Sequence, residues 1–107
     1  MKAIDLLRHR VASAQGISVS LTFDDLDRIE AGVDETLRRV ADSETVDAAA
    51  TELDRLGQIQ GLLATLCFRH GVTLTPRLRS LVHEFDRPDD VDLRASAFAR
   101  IRAGEFI

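Results

Sequence analysis

Apolar residues recur at intervals of three and four along most of the chain, the spacing that places them on one face of a helix. This pattern predicts a first helix over about residues 2–15, ended by Gly16, and a second helix capped by Thr22. The second helix carries one narrow apolar stripe, which is typical of a helix with most of its surface in water. The stripe consists of Leu26, Ile29, Val33, Leu37 and Val40.

A long third helix is predicted over about residues 44–70, with Ser43 as its capping residue. Its second half, residues 62–68, is apolar on all sides, a pattern that only a helix surrounded by protein tolerates. Leu66 and Phe68 are therefore expected to be buried at the centre of the fold. Because only two or three residues separate this helix from the second one, the two should form an acidic antiparallel hairpin.

Two shorter helices complete the pattern. Pro76 follows the capping residue Thr75 at the first helical position, where proline is favoured, so a fourth helix is predicted over residues 76–86. A fifth helix begins at about residue 89, and Gly104 ends it. The predicted fold is an all-α bundle of four to five helices, in a single domain over residues 1–107, with the third helix at its centre.

Between these helices, residues 17–21 and 72–74 alternate apolar and polar side chains, which is the period of an extended segment. Each segment follows a glycine and precedes a threonine cap, and the two could pair as a minor two-stranded ribbon. The longest apolar stretch is far shorter than the roughly 20 residues that span a bilayer, so no membrane segment is predicted.

Charge is distributed unevenly along the chain. The 107 residues carry a net charge of −4, but residues 22–54 hold 11 acidic side chains against three arginines, which leaves the rest net positive. Such a dipolar molecule is steered towards a basic surface of another protein or towards a second copy of itself. The alternative is an acidic face that only keeps the domain soluble. The candidate partner contacts are Asp27, Glu30, Asp34, Glu35, Asp47 and Asp54.

The length of the third helix leads to a prediction of a homodimer. About 27 residues of straight helix would extend roughly 40 Å, whereas a compact domain of this size is about 33 Å across. The first half would then project and need a second copy to cover it. A bend at Gly57 and Gly61 would instead fold it back into a compact monomer. The proposed self-association residues are Val46, Ala49, Ala50, Leu53 and Gly57.

Candidate chemistry is sparse. Cys67 and His70 share a helix face, and His83 could come near, but a zinc ion needs four such ligands. Cys67 also lies within the apolar stretch, where a thiol stays protonated and unreactive. We therefore predict no catalytic residue, no metal and no cofactor. A single cysteine fits a reducing cytoplasm, and 13 arginines against one lysine suggest a bacterial or phage genome.

A nucleic-acid partner is the alternative. Residues 63–82 are predicted as helix, turn and helix, with Arg77 and Arg79 early in the second helix, where a helix-turn-helix regulator contacts DNA. The negative net charge disfavours this interpretation. The sequence instead favours a cytoplasmic, non-catalytic protein-binding module. The expected partner is a protein with a basic surface. The module itself would be a small inhibitor, an immunity or antitoxin-like protein, or an assembly or secretion chaperone.

Overall fold

The computed structural model describes residues 2–12, 21–83 and 93–107, and within these ranges the regular structure is entirely helical. The predicted all-α class with four to five helices is confirmed. None of the described helices is long and apolar enough to cross a lipid bilayer. The helices are α1 (Ala3–Ala12), α2 (Phe23–Asp42), α3 (Ala50–His70), α4 (Pro76–His83) and α5 (Leu93–Arg102).

The start of α2 is fixed by a reciprocal capping box. The backbone N–H of Asp25 donates to the Thr22 hydroxyl at 3.0 Å, and the Asp25 carboxylate accepts from the Thr22 N–H at 3.2 Å. The predicted cap at Thr22 is confirmed. Asp25 is itself buried and also pairs with Arg10 of α1 at 3.2 Å. One carboxylate therefore both starts α2 and holds α1 against it.

Helices α2 and α3 run antiparallel, as predicted. Arg39, near the end of α2, pairs with Glu52, near the start of α3, at 3.6 Å. Glu30, in the first half of α2, accepts a hydrogen bond at 2.7 Å from the hydroxyl of Thr75, which follows α3. These contacts join the end of α2 to the start of α3 and the first half of α2 to the residues that follow α3. Helices α1, α4 and α5 pack against this antiparallel pair.

The predicted start of the third helix is wrong. Ser43 ends α2, because its N–H donates to the Val40 carbonyl, and residues 44–49 form turns before α3 begins at Ala50. Within those turns the hydroxyl of Thr45 accepts from the Ala48 N–H. At 21 residues, α3 is about 32 Å long, which fits within a molecule whose longest dimension is 42 Å. The overhang that motivated the homodimer prediction is therefore absent from α3.

The second half of α3 is only partly covered by the protein. Leu63 and Leu66 are fully buried, which confirms the prediction for Leu66. Phe68 is 64% exposed, so the prediction that it is buried is wrong. Two residues along a helix correspond to a rotation of about 200°, which turns Phe68 away from the core that Leu66 enters. The apolar residues on all sides of this half of α3 are therefore not all buried by the rest of the protein.

After α3 the chain turns at Gly71, which has the left-handed φ of 65° that favours glycine. Val72 and Leu74 are buried in the core although residues 72–74 form no strand. Of the predicted ribbon partner, residues 17–20 lie outside the described residues. So do three predicted helix boundaries, namely the end of the first helix, the end of the fourth and the start of the fifth.

The C-terminal segment, from α5 to Ile107, packs against α2 and α3. Helix α5 packs against α2 and α3, with Ile101 buried, and the chain turns at Gly104, whose φ is 72°. Phe106 then packs back into the core, with the guanidinium of Arg100 lying 5.2 Å from its ring centroid. The predicted helix end at Gly104 is confirmed.

Candidate partner-binding surface

One side of helix α2 carries an aromatic and three acidic side chains, all of them exposed except the half-buried Glu30. Phe23, Asp27, Glu30 and Asp34 follow one another at spacings of four, three and four residues, which places them on one side of the helix. We call these four residues the α2 face. Phe23 is 88% exposed, so nearly the whole ring is available for contact with a partner. The buried stripe of α2, which includes Ile29, points to the opposite side.

Two acids of the α2 face already have partners from the start of α4. Asp34 forms an ion pair with Arg77, and Glu30 accepts from the Thr75 hydroxyl. The hydrogen bond to Asp34 raises the pKa of the Arg77 guanidinium. Asp27 makes no side-chain hydrogen bond or ion pair within the part of the chain that the structure describes. The face therefore keeps one unpaired carboxylate beside Phe23.

The other predicted partner contacts lie elsewhere. Glu35 pairs with Arg39 on the flank of α2 that faces α1. Asp54 is on α3 and pairs with Arg94 of α5 at 2.5 Å. Asp47 is exposed in the turns between α2 and α3. The structure thus brings together only three of the six predicted acids, those of the α2 face.

The proposed self-association residues do not form one exposed surface. Ala49 and Leu53 are buried in the core of a single chain, and Val46 and Ala50 are half-buried. Ala49 and Leu53 therefore offer no surface to a second copy. Gly57 does have open space, because a Cβ added there would meet no atom within 4 Å. The homodimer itself stays a prediction.

Packing among the described residues does not require either glycine of α3. A Cβ at Gly61, as at Gly57, would meet no atom within 4 Å, and α3 continues as one helix through both positions. The hydroxyl of Thr65 donates to the Gly61 carbonyl at 3.0 Å. Close approach of another described helix is therefore not the reason for these two residues.

The two alternative DNA-contact residues differ in their surroundings. Arg77 is paired within the chain with Asp34, whereas Arg79 is exposed two residues later.

Among the described residues, no group of three or more His, Cys, Asp or Glu side chains could hold a metal ion. Cys67 is half-buried rather than fully enclosed.

The flank of α2 that faces α1 contains a cleft that no pattern in the sequence predicted. It has a volume of 480 Å³ and lies where the start of α1 meets α2 and α3. We call it the cationic cleft, because four basic side chains and one acidic side chain line it. Its charged lining residues are Lys2, Arg28, Glu35, Arg39 and Arg55. Spacings of seven and four residues place Arg28, Glu35 and Arg39 on one side of α2, but only the fold brings the other two residues beside them.

Comparison with known proteins identifies the family. A search of curated proteins found no match, and a search of solved structures found none either. The sequence model of the CdiI-like immunity proteins matches residues 2–103, nearly the whole chain and all five described helices. The chain belongs to the CdiI-like immunity protein family.

Proposed function

We propose that this protein is an immunity protein that binds a toxin protein and blocks its activity. The observation that carries the proposal is the family match over residues 2–103. It favours the immunity alternative over the chaperone and antitoxin alternatives that the sequence left open. Inhibition by binding needs no catalytic group on the inhibitor, because covering the active surface of the toxin is sufficient.

The α2 face is the contact surface that we assign to the toxin. Interfaces draw most of their binding energy from a few buried anchors, and aromatic side chains are enriched among them. Phe23 is 88% exposed in the free protein and would be such an anchor. The neighbouring carboxylate of Asp27 would attract a basic surface and speed association. An aromatic anchor flanked by acidic groups thus matches a toxin with a basic surface and an apolar pocket.

The ion pair between Asp34 and Arg77 supports this assignment by making part of the face rigid. Arg77 holds Asp34 in place, and Thr75 does the same for Glu30. Side chains that are already ordered lose less conformational entropy on binding, which favours affinity. The proposal places the complex in the cytoplasm, where a lone cysteine remains reduced.

Co-purification followed by a growth assay tests the function. The tagged chain is expressed in its source organism, and the proteins that it retains are identified by mass spectrometry. We expect one retained protein to stop growth when it is expressed alone, and growth to resume when this chain is co-expressed. Retention of proteins that are not toxic, with no rescue of growth by the chain, would contradict the proposal.

A matched pair of variants tests the surface. Asp27→Lys reverses a charge on the α2 face, and Asp47→Lys makes the same change in the turns between α2 and α3. Both side chains are exposed, so both variants should fold. We expect only Asp27→Lys to reduce toxin retention and growth rescue. Equal effects of the two variants would show that total charge matters rather than the α2 face.

A further inference from the structure

The cationic cleft has a positive lining in an acidic protein. Four basic side chains and one carboxylate line it, although the chain as a whole carries a net charge of −4. The first two residues of α1, Ala3 and Ile4, also line it, together with Lys2, which precedes the helix. The first amide groups of a helix lack intrahelical acceptors and form the positive end of its dipole. Helix and side chains therefore favour an anion at the same place.

The ion pairs around the cleft occupy only part of its donors. Arg28 uses Nε to bind Asp24 at 3.0 Å, and Arg55 uses one terminal nitrogen to bind Glu52 at 3.3 Å. Within the described residues, both terminal nitrogens of Arg28, the other terminal nitrogen of Arg55 and the ammonium of Lys2 form no hydrogen bond or ion pair. A guanidinium can donate five hydrogen bonds, so these groups can accept a further anionic ligand.

Apolar and polar groups share the rest of the cleft lining. Ile4 and Ile59 contribute only the edges of buried side chains, Ala31 contributes an exposed methyl group, and Gly32 and Thr36 also line the cleft. A ligand with a short aliphatic stem and a terminal carboxylate can contact the apolar groups and the cationic groups together. A free inorganic anion would gain nothing from the apolar groups. Among protein side chains, glutamate combines this stem and this charge.

We propose that the cationic cleft receives a glutamate side chain of the bound toxin, with its carboxylate between Lys2, Arg28 and Arg55 and its methylene groups against Ala31 and the edge of Ile4. This inference rests on the proposed function, because the toxin supplies the glutamate. A single helix, α2, then separates a surface for basic groups from a pocket for an acidic group. A partner must present both charges at the matching separation, which fixes its orientation and rejects proteins that carry only one of them.

A titration of the complete ¹⁵N-labelled protein with short capped peptides tests the pocket without the toxin. The ligand is Ac-Ala-Glu-Ala-NH₂, and its neutral isostere with glutamine is the control. We expect saturable shifts of the backbone amide resonances of Ala31, Gly32 and Ile59 with the glutamate peptide only. Arg28→Gln should weaken this binding about fivefold, the factor for loss of one exposed charge contact.

The matched control is Arg79→Gln, which removes the same charge from an exposed position on α4 and should leave peptide binding unchanged. Three results would overturn the inference: equal binding of the glutamine peptide, equal weakening by both variants, or saturation of the same amides by inorganic phosphate with equal affinity. Since the titration involves no toxin, these results leave the proposed function standing. Failure of growth rescue despite selective peptide binding would contradict the proposed function alone.

Discussion

Gly32 of α2 lies directly against Ala3 of α1, so closely that a Cβ at position 32 would stand 2.5 Å from the Ala3 Cβ. Real Cβ atoms do not approach each other to this distance. Since the Ala3 Cβ is fixed to its backbone, it cannot rotate away as the end of a long side chain can. The contact between α1 and α2 therefore depends on the absence of a side chain at this one position.

We expect Gly32→Ala to destabilise the protein. Alanine favours a helix over glycine by about 1 kcal/mol, but overpacking of a tight contact costs about 1–3 kcal/mol and requires α1 to move. The net loss should be up to about 2 kcal/mol in the free energy of unfolding, measured by urea denaturation. Gly57→Ala is the control, because open space surrounds that position and only the helix preference remains. A stability gain for both variants would show that α1 does not pack as described.

The stability should depend on pH through Asp25. Burial raises the pKa of Asp25, but hydrogen bonds from the Thr22 N–H and from Arg10, together with the charge of Arg10, outweigh burial and hold that pKa below its ordinary value. The unfolded chain then binds a proton more readily than the folded one. This carboxylate therefore contributes stability above about pH 4, and the contribution is lost as the pH falls through the folded-state pKa.

Asp25→Asn removes this contribution. At pH 7 we expect the variant to be less stable than the wild type by about 1–3 kcal/mol, because Arg10 loses its partner and the cap loses its charge. The difference should shrink when urea denaturation is repeated near pH 3. Asp27→Asn, at an exposed carboxylate of the same helix, should change stability by less than about 0.5 kcal/mol at either pH. A constant deficit for Asp25→Asn across this range would contradict the assigned role of its charge.

Two apolar residues near the end of α3 should respond differently to truncation. Leu66 is fully buried, so Leu66→Ala should cost about 2–5 kcal/mol through lost contacts and a residual cavity. Phe68 is 64% exposed, and Phe68→Ala should cost less than about 1 kcal/mol. Thermal unfolding followed by circular dichroism measures both. Similar large losses would restore the expectation from sequence that both side chains are buried.

Phe23→Ala should separate binding from stability. Because the side chain is 88% exposed, the melting temperature should change little. If Phe23 anchors the toxin, its loss should weaken the complex about 30-fold, which corresponds to about 2 kcal/mol. Calorimetric titration of the toxin measures this change. Phe68→Ala removes the other phenylalanine that is exposed among the described residues. It lies outside the α2 face, so this variant should keep the affinity of the wild type. An unchanged affinity for Phe23→Ala would place the interface elsewhere.

Helix ends were predictable from sequence where the controlling groups are neighbours. The cap at Thr22 and the ends at Gly71 and Gly104 depend on backbone geometry within a few residues. Ser43 was misassigned because either of two helices could use it, and its hydroxyl in fact bonds back to the Arg39 carbonyl. The choice between the end of one helix and the start of the next depended on packing that no local pattern records.

The α2 face and the cationic cleft were less predictable, because each depends on contacts between residues that are distant in sequence. The six candidate acids were equivalent in sequence, and only the fold pairs Asp34 with Arg77 and Asp54 with Arg94. The cationic cleft likewise needs Lys2, which precedes α1, Arg28 of α2 and Arg55 of α3. Hydrophobic periodicity shows which side of a helix is covered, but it does not show which charge of another helix will lie beside it.

The double role of Asp25 couples events that would otherwise be independent. Fraying of the first turn of α2 breaks the capping box and the ion pair with Arg10 in one event, whereas the buried Leu6 and Leu7 keep α1 in the core. Amide protons in the first turn of α2 should therefore exchange with solvent at one common opening rate, which differs from the opening rate of α1.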